Sequence, residues 1–141
     1  MKELIVSAVR EKLSEVQEFV EDFLQKAGFQ NKQIIQINIA VEEIYINIAS
    51  YSYNPDVGLV TISCTNKGDK VIIEFADSGR QYNPLARQDP DVSKPWAERD
   101  IGGLGVFMVK KLMDQISYRY ENGRNILIIE KTYNNGGTYE D

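Results

Sequence analysis

The sequence predicts a two-layer α/β sandwich: a mixed, mostly antiparallel sheet with three main helices packed on one face. Three observations predict it. Two early segments repeat apolar residues at helical spacing, a third helical pattern follows a glycine-rich run, and alternating segments joined by tight turns stand between and after them. An amphipathic helix and a one-faced sheet each bury a single side, so their shared core lies between a helix layer and a sheet layer. At 141 residues the chain reads as one domain over 1–133, with 134–141 a short polar tail.

The elements follow in order. Leu4 to Val9 is a short apolar segment, expected as an edge strand. From Glu11 the spacing of Leu13, Val16, Val20, Phe23, Leu24 and Ala27 predicts a first helix, ended by Gly28. Asn31 stands where a cap would start the second helix, whose apolar positions Ile34, Ile37, Val41, Ile44 and Ile48 alternate by threes and fours. Its isoleucines are poor helix formers, so burial has to carry it. The turn signal Asn54-Pro55-Asp56 precedes a strand built on Val60, Ile62 and Cys64, and the Asn66–Asp69 turn leads to a partner built on Val71, Ile73 and Phe75. Leu85 to Asp100 is polar and aperiodic, with Pro90, Pro95, Arg87, Lys94 and Arg99, and reads as a lid segment. A third helix carries Val106, Val109 and Met113; the strands Ile116–Tyr120 and Ile126–Thr132 close the fold around Asn122-Gly123, a hairpin signal.

Composition excludes several chemistries. Histidine is absent and Cys64 is the only cysteine, so zinc sites, histidine triads and disulfides within the chain drop out. With 43% hydrophobic residues, 26% charged residues and a net charge of -5, the chain is expected to be globular and not to wrap nucleic acid. No apolar run approaches the roughly 18 residues of a membrane helix, and the N-terminus lacks a signal-peptide block, so a cytoplasmic protein without membrane attachment is expected.

Three stretches carry chemistry. Glu43 and Asn47 lie four apart on one helix face beside the core stripe, with Tyr51 extending the row. Alternation puts Asp77 on the inward face with Val71, Ile73 and Phe75, where a carboxylate needs donors; Gly79 follows, so it either caps a turn or meets a ligand's amine. Gly102, Gly103 and Gly105, around Leu104, run into the third helix. Glycines there permit left-handed angles and close approach, and the unpartnered amides at a helix start attract phosphate oxygens; close helix packing is the other reading. Neither G-x-x-x-x-G-K-[ST] nor a G-x-G-x-x-G after a strand occurs.

Taken together, Glu43 and Asn47 on a helix, D-S-G-R-Q-Y-N-P from Asp77 to Pro84, and G-G-L-G-V-F-M-V-K-K-L-M-D from Gly102 to Asp114 resemble the three ATP-binding boxes of the GHKL superfamily. That group includes DNA gyrase B, heat-shock ATPases, mismatch-repair proteins and histidine kinases, and its ATP-binding fold is the Bergerat type. Within it the chain is most similar to the small stand-alone anti-sigma factor serine/threonine kinases of bacteria, over nearly its whole length.

The resemblance implies ATP and magnesium as cofactors. It makes Asn47 the magnesium ligand, Asp77 the acceptor for the adenine amino group, and Gly79 the point where the backbone approaches the ring. Gly102, Gly103, Leu104 and Gly105 become the phosphate-facing segment, and Glu43 the general base. The implied partners are a sigma factor or similar regulator, a STAS-domain antagonist phosphorylated on serine, and a second copy of the chain, since the family often pairs. The sequence departs from the pattern at Gln81, where many members have a second glycine, at Tyr82-Asn83, where Phe-Asp is commoner, and at Tyr51, often histidine in these kinases. Two alternatives stay open: a catalytically silent, ATP-dependent interaction module, and a detached histidine-kinase-like ATPase domain.

Overall fold

The computed structural model describes residues 1–51, 58–86 and 101–133, with the backbone alone for 101–104. The turn at Asn54-Pro55-Asp56, the lid segment from residue 87 on with Arg87, Lys94 and Arg99, and the polar tail lie outside the described residues. Five strands, β1 (Lys2–Ser7), β2 (Leu59–Lys67), β3 (Lys70–Asp77), β4 (Gln115–Glu121) and β5 (Arg124–Thr132), form one sheet in the order β1-β2-β3-β5-β4. Its four pairings are all antiparallel, which corrects the expectation of a mixed sheet. The helices α1 (Leu13–Ala27), α2 (Asn31–Tyr51) and α3 (Ile101–Leu112) form the second layer of the sandwich. No helix among the described residues is long and apolar enough to cross a membrane.

Burial follows the sequence periodicity closely. Val16, Val20 and Leu24 of α1, all five expected positions of α2, and Val106, Val109 and Met113 at α3 are buried against the inward strand positions Val60, Ile62, Cys64, Val71, Ile73, Phe75, Leu127 and Ile129. This apolar seam supplies the stabilisation that the β-branched composition of α2 does not. Gly28 ends α1 at φ 94°, and Asn122 and Gly123 turn the last hairpin at φ 56° and 77°, as a two-residue turn with both central residues left-handed requires.

Three boundaries differ from the sequence expectation. β1 ends at Ser7 because the hydroxyl of Tyr45, fully buried on α2, draws the chain off the sheet: it accepts from the Val9 amide at 3.1 Å and lies 2.6 Å from the Val9 carbonyl and 2.8 Å from that of Ser7. Asn31 does not cap α2 but sits in its first turn, since the Ile34 amide donates to the Gln30 carbonyl at 3.0 Å. The third difference concerns α3, which begins ahead of the glycines, so that Gly102, Gly103 and Gly105 are helical rather than a left-handed turn before a helix. The left-handed glycines among the described residues are Gly28, Gly68 and Gly123.

Candidate active site

The stripe of α2 that packs on the sheet leaves Glu43 and Asn47 half-buried on its flank, one turn apart, beside buried Ile44 and Ile48. On the sheet, alternation brings Asp77 to the inward face at the end of β3, where it is 3% exposed. Burying a carboxylate is costly without donors. The Gly79 amide donates to its Oδ1 at 2.9 Å, closing a turn, and a side-chain amide from β5, Asn125, donates to the same oxygen at 3.0 Å. Asp77 therefore does cap the following turn, and both hydrogen bonds described for it end on Oδ1.

Asn125 is the residue that sequence reading missed. It stands directly opposite Asp77 in the β3–β5 register and is 5% exposed. Its Nδ2 also donates to the Arg80 carbonyl at 2.9 Å, while its Oδ1 accepts from the Tyr82 amide at 3.0 Å and from the Tyr118 hydroxyl at 2.5 Å. Two donors and two acceptor sites are thus all used, which is the full capacity of a primary amide. Burial raises the Tyr118 pKa, a hydrogen bond with the Tyr82 backbone works against that, and the Asp77 charge adds to it. The signal was in the sequence: counting back by two from Leu127 puts Asn125 on the inward face, a polar residue in an apolar register.

Asn47 and Asp77 line one cleft. Phe75 and Leu127 of the sheet, Val106 and Val109 of α3, and Tyr82 from the loop after Asp77 complete its walls. That mix of apolar walls with a few convergent polar groups is typical of a small-molecule site. Glu43 stands one turn back along α2, against α3: a Cβ on Gly105 would collide with the Glu43 carboxylate, with Cδ only 3.4 Å and Cγ 3.9 Å away. Gly105 serves close approach, not backbone freedom. Burial raises the Glu43 pKa above its ordinary 4.5, and the charge of neighbouring Glu42 raises it further. Gly102, Gly103 and Leu104 lie in the first turn of α3, where backbone amides lack helical partners.

Among the described residues no three His, Cys, Asp or Glu side chains gather to hold a metal. The amide oxygen of Asn47 is a hard donor of the kind that would hold a magnesium ion, which takes few protein ligands. The unpartnered amides in the first turn of α3 are of the kind that would hold phosphate oxygens. The residues therefore fit both groups.

Comparison with known proteins gives the family. The histidine kinase-like ATPase domain family matches residues 6–131. A protein named serine-protein kinase RsbW from Bacillus thuringiensis subsp. konkukian is 32% identical over 127 residues, covering 82% of this chain and 79% of its own. A namesake from Bacillus cereus is 32% identical over 107 residues, covering 73% and 67%. Among solved structures, the RsbU and RsbW domains of a Mycobacterium tuberculosis protein superpose with a TM-score of 0.66 at 17% identity, over 94% of this chain and a share of 33% of the other. The histidine kinase AdeS of Acinetobacter baumannii superposes at 0.52 with 17% identity, covering 96% and 70%. The structures speak for the fold, the curated relatives for the branch, and the chain belongs to the histidine kinase-like ATPase domain family of GHKL proteins, among relatives that are serine-protein kinases.

Proposed function

We propose that this chain is a cytoplasmic, ATP- and magnesium-dependent protein serine/threonine kinase, carried by one domain over residues 1–133, that sequesters a sigma factor or similar regulator and phosphorylates a STAS-fold antagonist on serine. The observation that carries the reading is the convergence of Asn47 and Asp77 on one cleft, with Glu43 one helical turn from Asn47 and pressed against Gly105. Family membership implies ATP binding, and kinase activity is supported by the names of relatives at 32% identity.

In this reading Asp77 accepts from the adenine amino group, a donor that its inward, buried position selects. The amides at the start of α3, from Gly102 to Gly105, face the phosphates. Asn47 offers its amide oxygen to magnesium, which supplies charge neutralisation on the phosphates when bound. Glu43 takes the proton of the attacking serine hydroxyl as its oxygen bonds to the γ-phosphorus and the bond to the ADP oxygen breaks. A raised pKa suits that task, because a base works best when its pKa approaches the working pH; such a group contributes roughly 10²- to 10⁴-fold. Positioning and electrostatics supply the larger share.

The test is to mix the purified protein with ATP, magnesium and a STAS-domain protein encoded beside it, and to look for phosphoserine by mass spectrometry. Phosphoserine on the STAS protein is expected. Its absence while nucleotide still binds would reject the kinase reading and spare the nucleotide site; phosphohistidine on a partner would move the chain to the histidine-kinase alternative.

A further inference from the structure

The loop that follows Asp77 is held from two sides. On one side is the C-terminal end of α2, where the last carbonyls lack helical partners and a cation is favoured. Arg80 Nε donates to the Tyr51 carbonyl there at 3.1 Å, and the Tyr51 and Tyr82 rings stack with centroids 5.2 Å apart and planes 29° from parallel. On the other side is β5, where Asn125 takes the Arg80 carbonyl and the Tyr82 amide with one side chain while also holding Asp77. Tyr51 lies one turn beyond Asn47 on the same face of α2. A chain of direct contacts therefore runs from the helix that carries Asn47, through the loop, to Asp77. It is built from Tyr51 and Tyr82, two of the positions where this sequence departs from the pattern of the superfamily it resembles.

We propose that Arg80–Tyr82 is a clasp, pinned by Tyr51 on one side and Asn125 on the other, that fixes the spacing between Asn47 and Asp77, so that Tyr51, Tyr82 and Asn125 are positioning residues for the two ends of one bound nucleotide. The inference rests on the reading of this cleft as an ATP site. Its physical basis is preorganisation: a loop already ordered does not have to be ordered when the ligand binds. Ligands that engage both ends gain from a fixed spacing. A ligand that engages only the Asp77 end does not.

Tyr51 is the clean place to test this, because its half-exposed ring touches Tyr82 and is not part of the cleft wall. Calorimetric titration of the full chain with ATP and magnesium, and separately with ADP in EDTA, gives the two affinities. Tyr51→Ala is expected to weaken binding of ATP with magnesium about five- to tenfold, the order of one aromatic pair, and to change that of metal-free ADP less than about twofold. Tyr51→Phe, which keeps the ring, restores wild-type values. The Tyr51→Ala/Tyr82→Ala double variant binds no more weakly than Tyr82→Ala alone, because either change opens the clasp. Equal loss for both ligands, or none for either, overturns the clasp. A wild-type protein that binds neither ligand overturns the nucleotide site itself and the clasp with it, whereas tight wild-type binding with an indifferent Tyr51→Ala overturns the clasp alone.

Discussion

Gly105 on α3 and Glu43 on α2 are packed so closely that a single methyl group on the glycine would displace the carboxylate. The atom that must give way is the end of a flexible side chain, so the fold survives the change and the geometry around Glu43 does not. Gly105→Ala is expected to leave the melting temperature unchanged or raised, as alanine favours a helix by about 1 kcal/mol over glycine, while phosphoryl transfer falls at least about tenfold, within the reach of general-base catalysis. Phosphotransfer assays beside thermal melts check this; a fully active, stable Gly105→Ala protein would remove Glu43 from the reaction.

The proposed function gives Asp77 and Glu43 separable jobs. Asp77→Asn turns an acceptor into an amide that must set a donor against either Asn125 or the adenine amine. Nucleotide affinity is expected to fall about a hundredfold, the size of a lost hydrogen bond to a charged group. Glu43→Ala keeps nucleotide affinity within a few-fold and stops transfer. Titration calorimetry on both variants decides; equal loss of binding would mean that the two roles are exchanged.

Burial and the charge of Glu42 raise the Glu43 pKa, so the folded protein holds that proton to a higher pH than the unfolded chain does. The stability linked to it is complete below the unfolded pKa and is lost as pH rises through the folded value. Glu43→Gln, which never ionises, should therefore melt higher than wild type near neutral pH, and the difference should shrink in acid. For the same reason the acid limb of the transfer rate should have its midpoint above the ordinary 4.5, and Glu43→Gln should lack that limb. Melting curves and a pH–rate profile test both signs.

Cys64 is fully buried on the inward face of β2, and burial pushes its thiol pKa up to about 12. The thiolate is the reactive form, so the native protein should be inert to thiol reagents for hours and should label at once in denaturant. Cys64→Ser should leave nucleotide binding intact while lowering stability, because it buries a hydroxyl among apolar neighbours. Rapid labelling of the folded chain would contradict the burial.

The fold was legible because its signals are local. Periods of 3.6 and 2 fix which residues face inward, and Gly28 and Asn122-Gly123 stop or turn the chain by backbone sterics alone. The glycine run does belong to the third helix, but not as a left-handed turn, since sequence cannot tell a glycine needed for its torsion angles from one needed for the space beside it. Here the neighbour of Gly105 is Glu43, sixty-two positions away in the numbering, and only packing introduces them. Asn125 shows the same division. Its inward parity was written in the alternation of β5, yet its four partners come from β3, β4 and the intervening loop. The sequence by itself determined the elements, their buried faces and the residue types able to handle a nucleotide. Tertiary structure decided which of those residues meet, because a hydrogen-bond partner is set by the register between strands and the crossing of helices, and neither is encoded at any one position.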